Sequence, residues 1–170
     1  MPDHATALSP VIRDVEVAAP AETCFEVFVD RFDSWWPREH HIGDRTVVAF
    51  RIEREVGGRC YDVDIDGGEC QWGTVLALDP PTRFLLAWHV QGDWTIDIDA
   101  ARQSEVEVTF TALGPERTAV RLEHRNLERH GDGGSGVRHG VGGDGGWRML
   151  LVRFGDVCEG RPPRPIAGGG

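Results

Sequence analysis

Apolar and polar residues alternate from Val11 to Val17, with Val11, Val15 and Val17 on one parity and Asp14 and Glu16 on the other, which predicts an opening strand with one buried face. Pro20 suits a helix start, because its fixed φ and missing N–H cost nothing in a first turn. Phe25, Phe28, Val29 and Phe32 recur at spacings of three and four, predicting a helix over residues 21–32 that Asp33-Ser34-Trp35-Trp36-Pro37 ends. Val48, Phe50 and Ile52, then Tyr61, Val63 and Ile65, predict two inward-facing strands separated by Gly57-Gly58. Asp66-Gly67-Gly68 reads as a hairpin turn, because glycine readily adopts positive φ. A further strand over 71–78 stops at Pro80-Pro81, where the backbone donor is lost.

Phe84, Leu86, Trp88 and Val90 share the next buried face, which leaves His89 pointing to the surface. Val106, Val108, Phe110 and Ala112 alternate with Glu105, Glu107, Thr109 and Thr111. After Gly114-Pro115-Glu116, Val120, Leu122 and His124 oppose Arg121, Glu123 and Arg125, as in an antiparallel sheet with one solvated side. Nine of the sixteen residues in 131–146 are glycine, a helix-breaking content that predicts a loop or a frayed turn. Trp147, Leu150, Leu151, Phe154, Val157 and Cys158 then form a helical stripe. An early helix, a run of strands and a closing helix make an α+β layer, with the last helix on the sheet's apolar face. The chain reads as one domain over 11–160, with disordered segments at 1–10 and 161–170.

Charge narrows the partners. All 18 basic residues are Arg, and against 28 acidic residues they leave a net charge of -10, which makes nucleic acid a poor partner and disfavours an anionic membrane surface, since both call for a positive patch. No run approaches the roughly 20 apolar residues of a membrane span and no secretory signal opens the chain, so a cytoplasmic location is expected. Cys24, Cys60, Cys70 and Cys158 form no C-x-x-C pair and read as free thiols. Glu39-His40-His41 lacks metal-ligand spacing, and His130 and His139 flank the glycine-rich stretch without it, so neither metal nor cofactor is expected. The serines lack a G-x-S-x-G elbow, and the glycines lack a phosphate-loop pattern.

Several motifs, in order, resemble a known family. They are Val15-Glu16-Val17 with Ala21-Glu22, Trp35-Trp36-Pro37 with His40-His41, and Gly57-Gly58-Arg59. The most specific is the stretch from Glu69 through Gln71-Trp72-Gly73-Thr74 to Leu76, followed by Asp79-Pro80-Pro81-Thr82-Arg83-Phe84; Leu122-Glu123-His124-Arg125 and Gly146-Trp147 with Leu150-Leu151 and Phe154 complete the set. Over residues 12–160 the chain resembles bacterial relatives of the C-terminal domain of the activator of the Hsp90 ATPase, in the START and Bet v 1-like superfamily. The resemblance implies a helix-grip fold, a curved antiparallel sheet wrapped around a long C-terminal helix. Such a fold encloses a cavity toward which Trp35, Trp36, Tyr61, Trp72 and Trp88 would turn inward. Phe110, His124, Trp147, Leu151 and Phe154 would close it, and His124 or Arg59 would fix polar groups of a ligand.

The superfamily includes lipid carriers, polyketide cyclases and co-chaperone domains, and fold alone does not choose among them. The leading expectation is a non-catalytic carrier or sensor of a small hydrophobic molecule, lipid-like or aromatic, in which Trp147→Ala weakens binding more than a change at Trp94. The alternatives are a polyketide cyclase or aromatase with a histidine moving protons, and a chaperone-interaction module. The acidic surface and free edge strands also permit a homodimer.

Overall fold

The computed structural model describes residues 8–41, 45–93 and 95–165. Seven strands, β1 (Val11–Val17), β2 (Val47–Ile52), β3 (Arg59–Asp64), β4 (Glu69–Asp79), β5 (Arg83–Trp88), β6 (Ser104–Gly114) and β7 (Arg117–Arg125), form one antiparallel curled sheet. Its order is β1-β7-β6-β5-β4-β3-β2. The helices are α1 (Ala21–Val29), α2 (Gly134–Gly142) and α3 (Trp147–Cys158), and 3-10 turns follow α1 at Phe32–Ser34, precede β6 at Ala100–Arg102 and lead from β7 into α2 at Leu127–Gly133. This is the expected α+β helix-grip arrangement. The C-terminal helical region is broken in two.

The break lies in the glycine-rich stretch. Where composition predicts a loop or a frayed turn, a 3-10 turn runs directly into the short helix α2, because tertiary contacts supply what helix propensity lacks. Val137 is buried, and Arg138 Nε donates to the Ser9 carbonyl at 2.7 Å on the helix's other side. At the corner into α3 a Cβ on Gly146 would lie 2.1 Å from the Val141 carbonyl oxygen, so only glycine fits there. The first helix is also shorter than its stripe, with α1 ending at Val29 and Phe32 buried in a 3-10 turn.

Bulges account for the parity errors on β2 and β4. A register shift between Val47 and Ala49 turns Val47, Ala49 and Phe50 inward and leaves Val48 exposed. Strand β3 alternates without a break but on the opposite parity to the one expected, burying Cys60 and Asp62 and turning Tyr61 outward, with Ile65 exposed beyond it; the shift at its pairing with β4 skips Trp72. On β4 the shift between Val75 and Ala77 leaves Leu76 exposed, while Trp72 is buried as expected. His89, expected on the surface, is buried with its Nε2 2.9 Å from Thr74 Oγ1. The excursion after β5 folds back over it, and Asp97 N–H donates to the His89 carbonyl at 3.1 Å.

The core is aromatic. Phe28 meets Trp35, Phe110 and Phe154 at centroid distances of 4.9, 6.0 and 5.4 Å, filling the space between α1, α3 and β6. The thiols of Cys24, Cys60 and Cys158 are buried and that of Cys70 half-buried, all four free. Residues 161–165, expected to be disordered, pack back on α3, where Arg161 and Arg164 pair with buried Asp156 at 3.1 and 2.8 Å. Leu8 N–H donates to Glu128 Oε1 at 3.2 Å at the other terminus. The expectations for residues 1–7, for Trp94 and for residues 166–170 lie outside the described residues. Among the described residues no helix is long and apolar enough to cross a membrane.

Candidate functional site

Away from the filled aromatic core, the interior opens into a cavity of about 490 Å³. Strands β3, β4 and β5, the segment after Pro37, α2 and the start of α3 surround it, and the indoles of Trp36, Trp72, Trp88 and Trp147 form its walls. Trp36 and Trp72 stack at 5.9 Å with planes 8° apart, while Trp147 meets Trp36 and Trp88 edge-on at 5.8 and 5.7 Å. Val90, Val137 and Leu150 add apolar surface. Trp36 also shapes the entrance, because its Nε1 donates to the His40 carbonyl at 2.9 Å and so fixes the loop that carries Glu39, His40 and His41 to the cavity.

Polar groups interrupt the apolar wall at few points. Asp62 lines the cavity with 4% of its surface exposed. Burial raises its carboxyl pKa above the ordinary value, an effect offset by the charge of His41 and reinforced by Asp64. Burial lowers the pKa of His40, with Glu39 opposing and Arg153 adding to the shift. The indole N–H groups of Trp72 and Trp88 are buried and have no hydrogen-bond acceptor. Among the described residues no group of three His, Cys, Asp or Glu side chains is arranged to hold a metal ion.

Behind Trp147 runs a buried polar chain. Trp147 Nε1–H donates to His124 Nδ1 at 3.0 Å, which puts the imidazole proton on Nε2, 2.8 Å from Ser104 Oγ. The Ser104 hydroxyl in turn donates to His130 Nε2 at 2.7 Å, and His130 Nδ1–H donates to Gln91 Oε1 at 3.0 Å. Gln91 Nε2 completes the chain on the carbonyls of His89 and Arg102, at 3.0 and 3.1 Å. This order requires both imidazoles to be neutral. Burial, with the charge of His130 second, lowers the His124 pKa to about 3; burial, with the Arg102 charge second, lowers that of His130 to about 4. The two ends of the chain, Trp147 and Gln91, both line the cavity.

Of the predicted lining residues, Trp36, Trp72, Trp88 and Trp147 meet at the cavity. Trp35 does not. Its Nε1 donates to the Val27 carbonyl at 3.0 Å and its ring braces Phe32 and Phe154. Phe110, Leu151 and Phe154 belong to the filled core, and His124 sits one layer behind Trp147. Tyr61 and Arg59 lie on the other face, the guanidinium 4.2 Å over the Tyr61 ring and paired with Glu53 and Glu69 at 3.0 and 2.8 Å. Sequence reasoning missed Asp62 and Gln91 and set aside His40-His41. Asp62 shares parity with Cys60 rather than Tyr61, and the histidines directly follow the Trp-Trp-Pro motif.

The model of the family described as activator of Hsp90 ATPase homolog 1-like protein matches residues 18–156. The chain belongs to this family. Among solved structures, this family member is 40% identical to an anthrahydroquino-γ-pyrone synthase, Txn09, over 89% of this chain and 97% of that one, with a TM-score of 0.64. It is 30% identical to CalC, a self-sacrificing resistance protein of Micromonospora echinospora, over 89% and 94% of the two chains, with a TM-score of 0.63. A protein of Arthrobacter aurescens at 13% identity, covering 99% and 96% with a TM-score of 0.60, shares the fold. No curated protein matches the chain.

Proposed function

We propose that this protein binds a planar polycyclic aromatic polyketide in the tryptophan-walled cavity and closes an oxygen heterocycle on it. The observation that carries this reading is four indoles around about 490 Å³ with one deeply buried carboxyl, Asp62, on the wall. The volume lies within the roughly 300–1,000 Å³ of small-molecule sites, and flat indole faces suit fused aromatic rings. The 40% identity to a γ-pyrone synthase over nearly its whole length supports the same substrate class.

Closing a γ-pyrone onto an aromatic ring joins a phenol oxygen to the far carbonyl carbon of an ortho 1,3-diketone side chain. The phenol proton passes to that carbonyl's oxygen as the O–C bond forms, and the resulting cyclic hemiketal then loses its hydroxyl and a proton from the neighbouring CH2 as water, leaving the ring double bond. Asp62, its pKa raised by burial, is the group placed to accept and return that proton, with His41 holding the carboxylate's charge. The tryptophan wall folds the side chain against the ring and keeps water out. The chain of His124, Ser104 and His130 is engaged throughout and offers no free proton site.

The test uses an anthrahydroquinone bearing such a side chain, with ring closure followed by chromatography and mass spectrometry. Wild-type protein should accelerate closure. Asp62→Asn should lose at least about a hundredfold in kcat, with binding, read by tryptophan fluorescence, held within threefold. Wild-type turnover by the Asn variant would overturn the role of Asp62. Tight binding without turnover would favour sequestration, a reading to which the 30% identity to a resistance protein lends support.

A further inference from the structure

Helix α2 contains four glycines, and they divide into two kinds. A Cβ on Gly134 would lie 2.6 Å from the Leu127 carbonyl oxygen, so packing demands glycine there, and one on Gly142 would press on Val11 Cγ2 at 3.2 Å, a tight contact. At Gly136 and Gly140 a Cβ would meet no atom within 4 Å, and neither has a positive φ. Nothing in the fold asks for glycine at these two positions, where it weakens the helix relative to alanine. Both line the cavity, one helical turn apart, beside Val137 and Val141. Both are exposed, so they lie along the cavity's open side.

A second observation points to an occupant. The indole N–H groups of Trp72 and Trp88 lie on residues that line the same cavity and are more than nine-tenths buried, yet they have no acceptor. An unpaired buried donor is costly, and a carbonyl-bearing ligand would relieve that cost after a small shift of the wall. Tryptophans on one side and bare helix backbone on the other leave a slot for a flat molecule.

We propose that Gly136 and Gly140 are specificity-determining residues: their missing side chains seat the outer ring of a polycyclic, carbonyl-bearing aromatic ligand and set how many fused rings the cavity accepts. This rests on the reading of the cavity as an aromatic polyketide site. The helix then gives up stability for room, and restoring side chains should move stability and selectivity in opposite directions.

Gly136→Ala, Gly140→Ala and Gly140→Leu, made in the full chain, test this. The probes are 1,8-dihydroxynaphthalene with two rings, 1,8-dihydroxyanthraquinone with three, and naphthacenequinone with four, each titrated by tryptophan fluorescence. The alanine variants should raise Tm by about 2–4 °C and weaken the four-ring probe several-fold. Gly140→Leu should weaken it at least tenfold while changing two-ring affinity less than twofold. Equal losses for all three probes, or unchanged affinity for the four-ring probe in a folded Gly140→Leu protein, would overturn the proposal while leaving the cavity reading intact. Wild-type protein that binds none of the probes would overturn both.

Discussion

Ser104 makes two hydrogen bonds, yet it connects everything behind the cavity wall. Its hydroxyl accepts from His124 and donates to His130, so its loss strands two imidazole nitrogens in a space closed to water. Each buried polar group left unpaired costs about 1–3 kcal/mol, which exceeds the value of the hydrogen bond itself. Ser104→Ala should therefore destabilise the protein by about 2–5 kcal/mol in urea unfolding, although it deletes only one oxygen. Ser135→Ala, on an exposed helix position, should stay within about 0.5 kcal/mol. Equal effects at the two serines would mean that the chain carries no special weight. Trp147, at one end of this chain, spends its N–H on His124 and presents a ring face to the cavity.

At the scale of elements, local pattern and tertiary contact divide the work. The alternation in β6 and β7 is read correctly because their long pairing runs in register through Val106–His124, Val108–Leu122 and Phe110–Val120. Inward parity fails on β2 and β4 because the residue skipped in the pairing, Val48 or Leu76, ends on the exposed side, and it fails on β3, which alternates without a break, because the less apolar parity of Cys60 and Asp62 is the one that faces in. The cost fell on the site. Tyr61 stands in place of Asp62 because Tyr61, Val63 and Ile65 make the more apolar parity of β3. Trp36, Trp72, Trp88 and Trp147 were legible because large apolar residues on strands and helix stripes have few places to go except inward. Helix α2 was not legible, since its position depends on Ser9, Leu127 and Val11 rather than on its own sequence.

Across the whole molecule, the buried histidines tie stability to pH. A group whose pKa falls on folding stabilises the native state above its unfolded pKa, near 6.5 for histidine, and that stability is lost as pH falls toward the folded value. His124 and His130, lowered to about 3 and about 4, should together steepen the loss below pH 6.5 to about 2.7 kcal/mol per pH unit at most. Asp156, held well below the usual carboxylate range by Arg164 and Arg161, extends acid lability further, while Asp62, its pKa raised by burial, opposes it. Urea midpoints should fall steeply between pH 6.5 and 4, and His130→Gln should flatten that slope. An unchanged slope in the variant would show that the neutral chain does not govern acid sensitivity.

In the proposed complex one aromatic ligand meets four particular indoles. The indole N–H resonances of ¹⁵N-labelled protein report each tryptophan separately as 1,8-dihydroxyanthraquinone is added. The signals of Trp36, Trp72, Trp88 and Trp147 should move together and saturate at one equivalent, while that of Trp35, bonded to Val27 in the filled core, should stay in place. A shift at Trp35 as large as the others, or four cavity signals unmoved by an excess of the probe, would contradict the account.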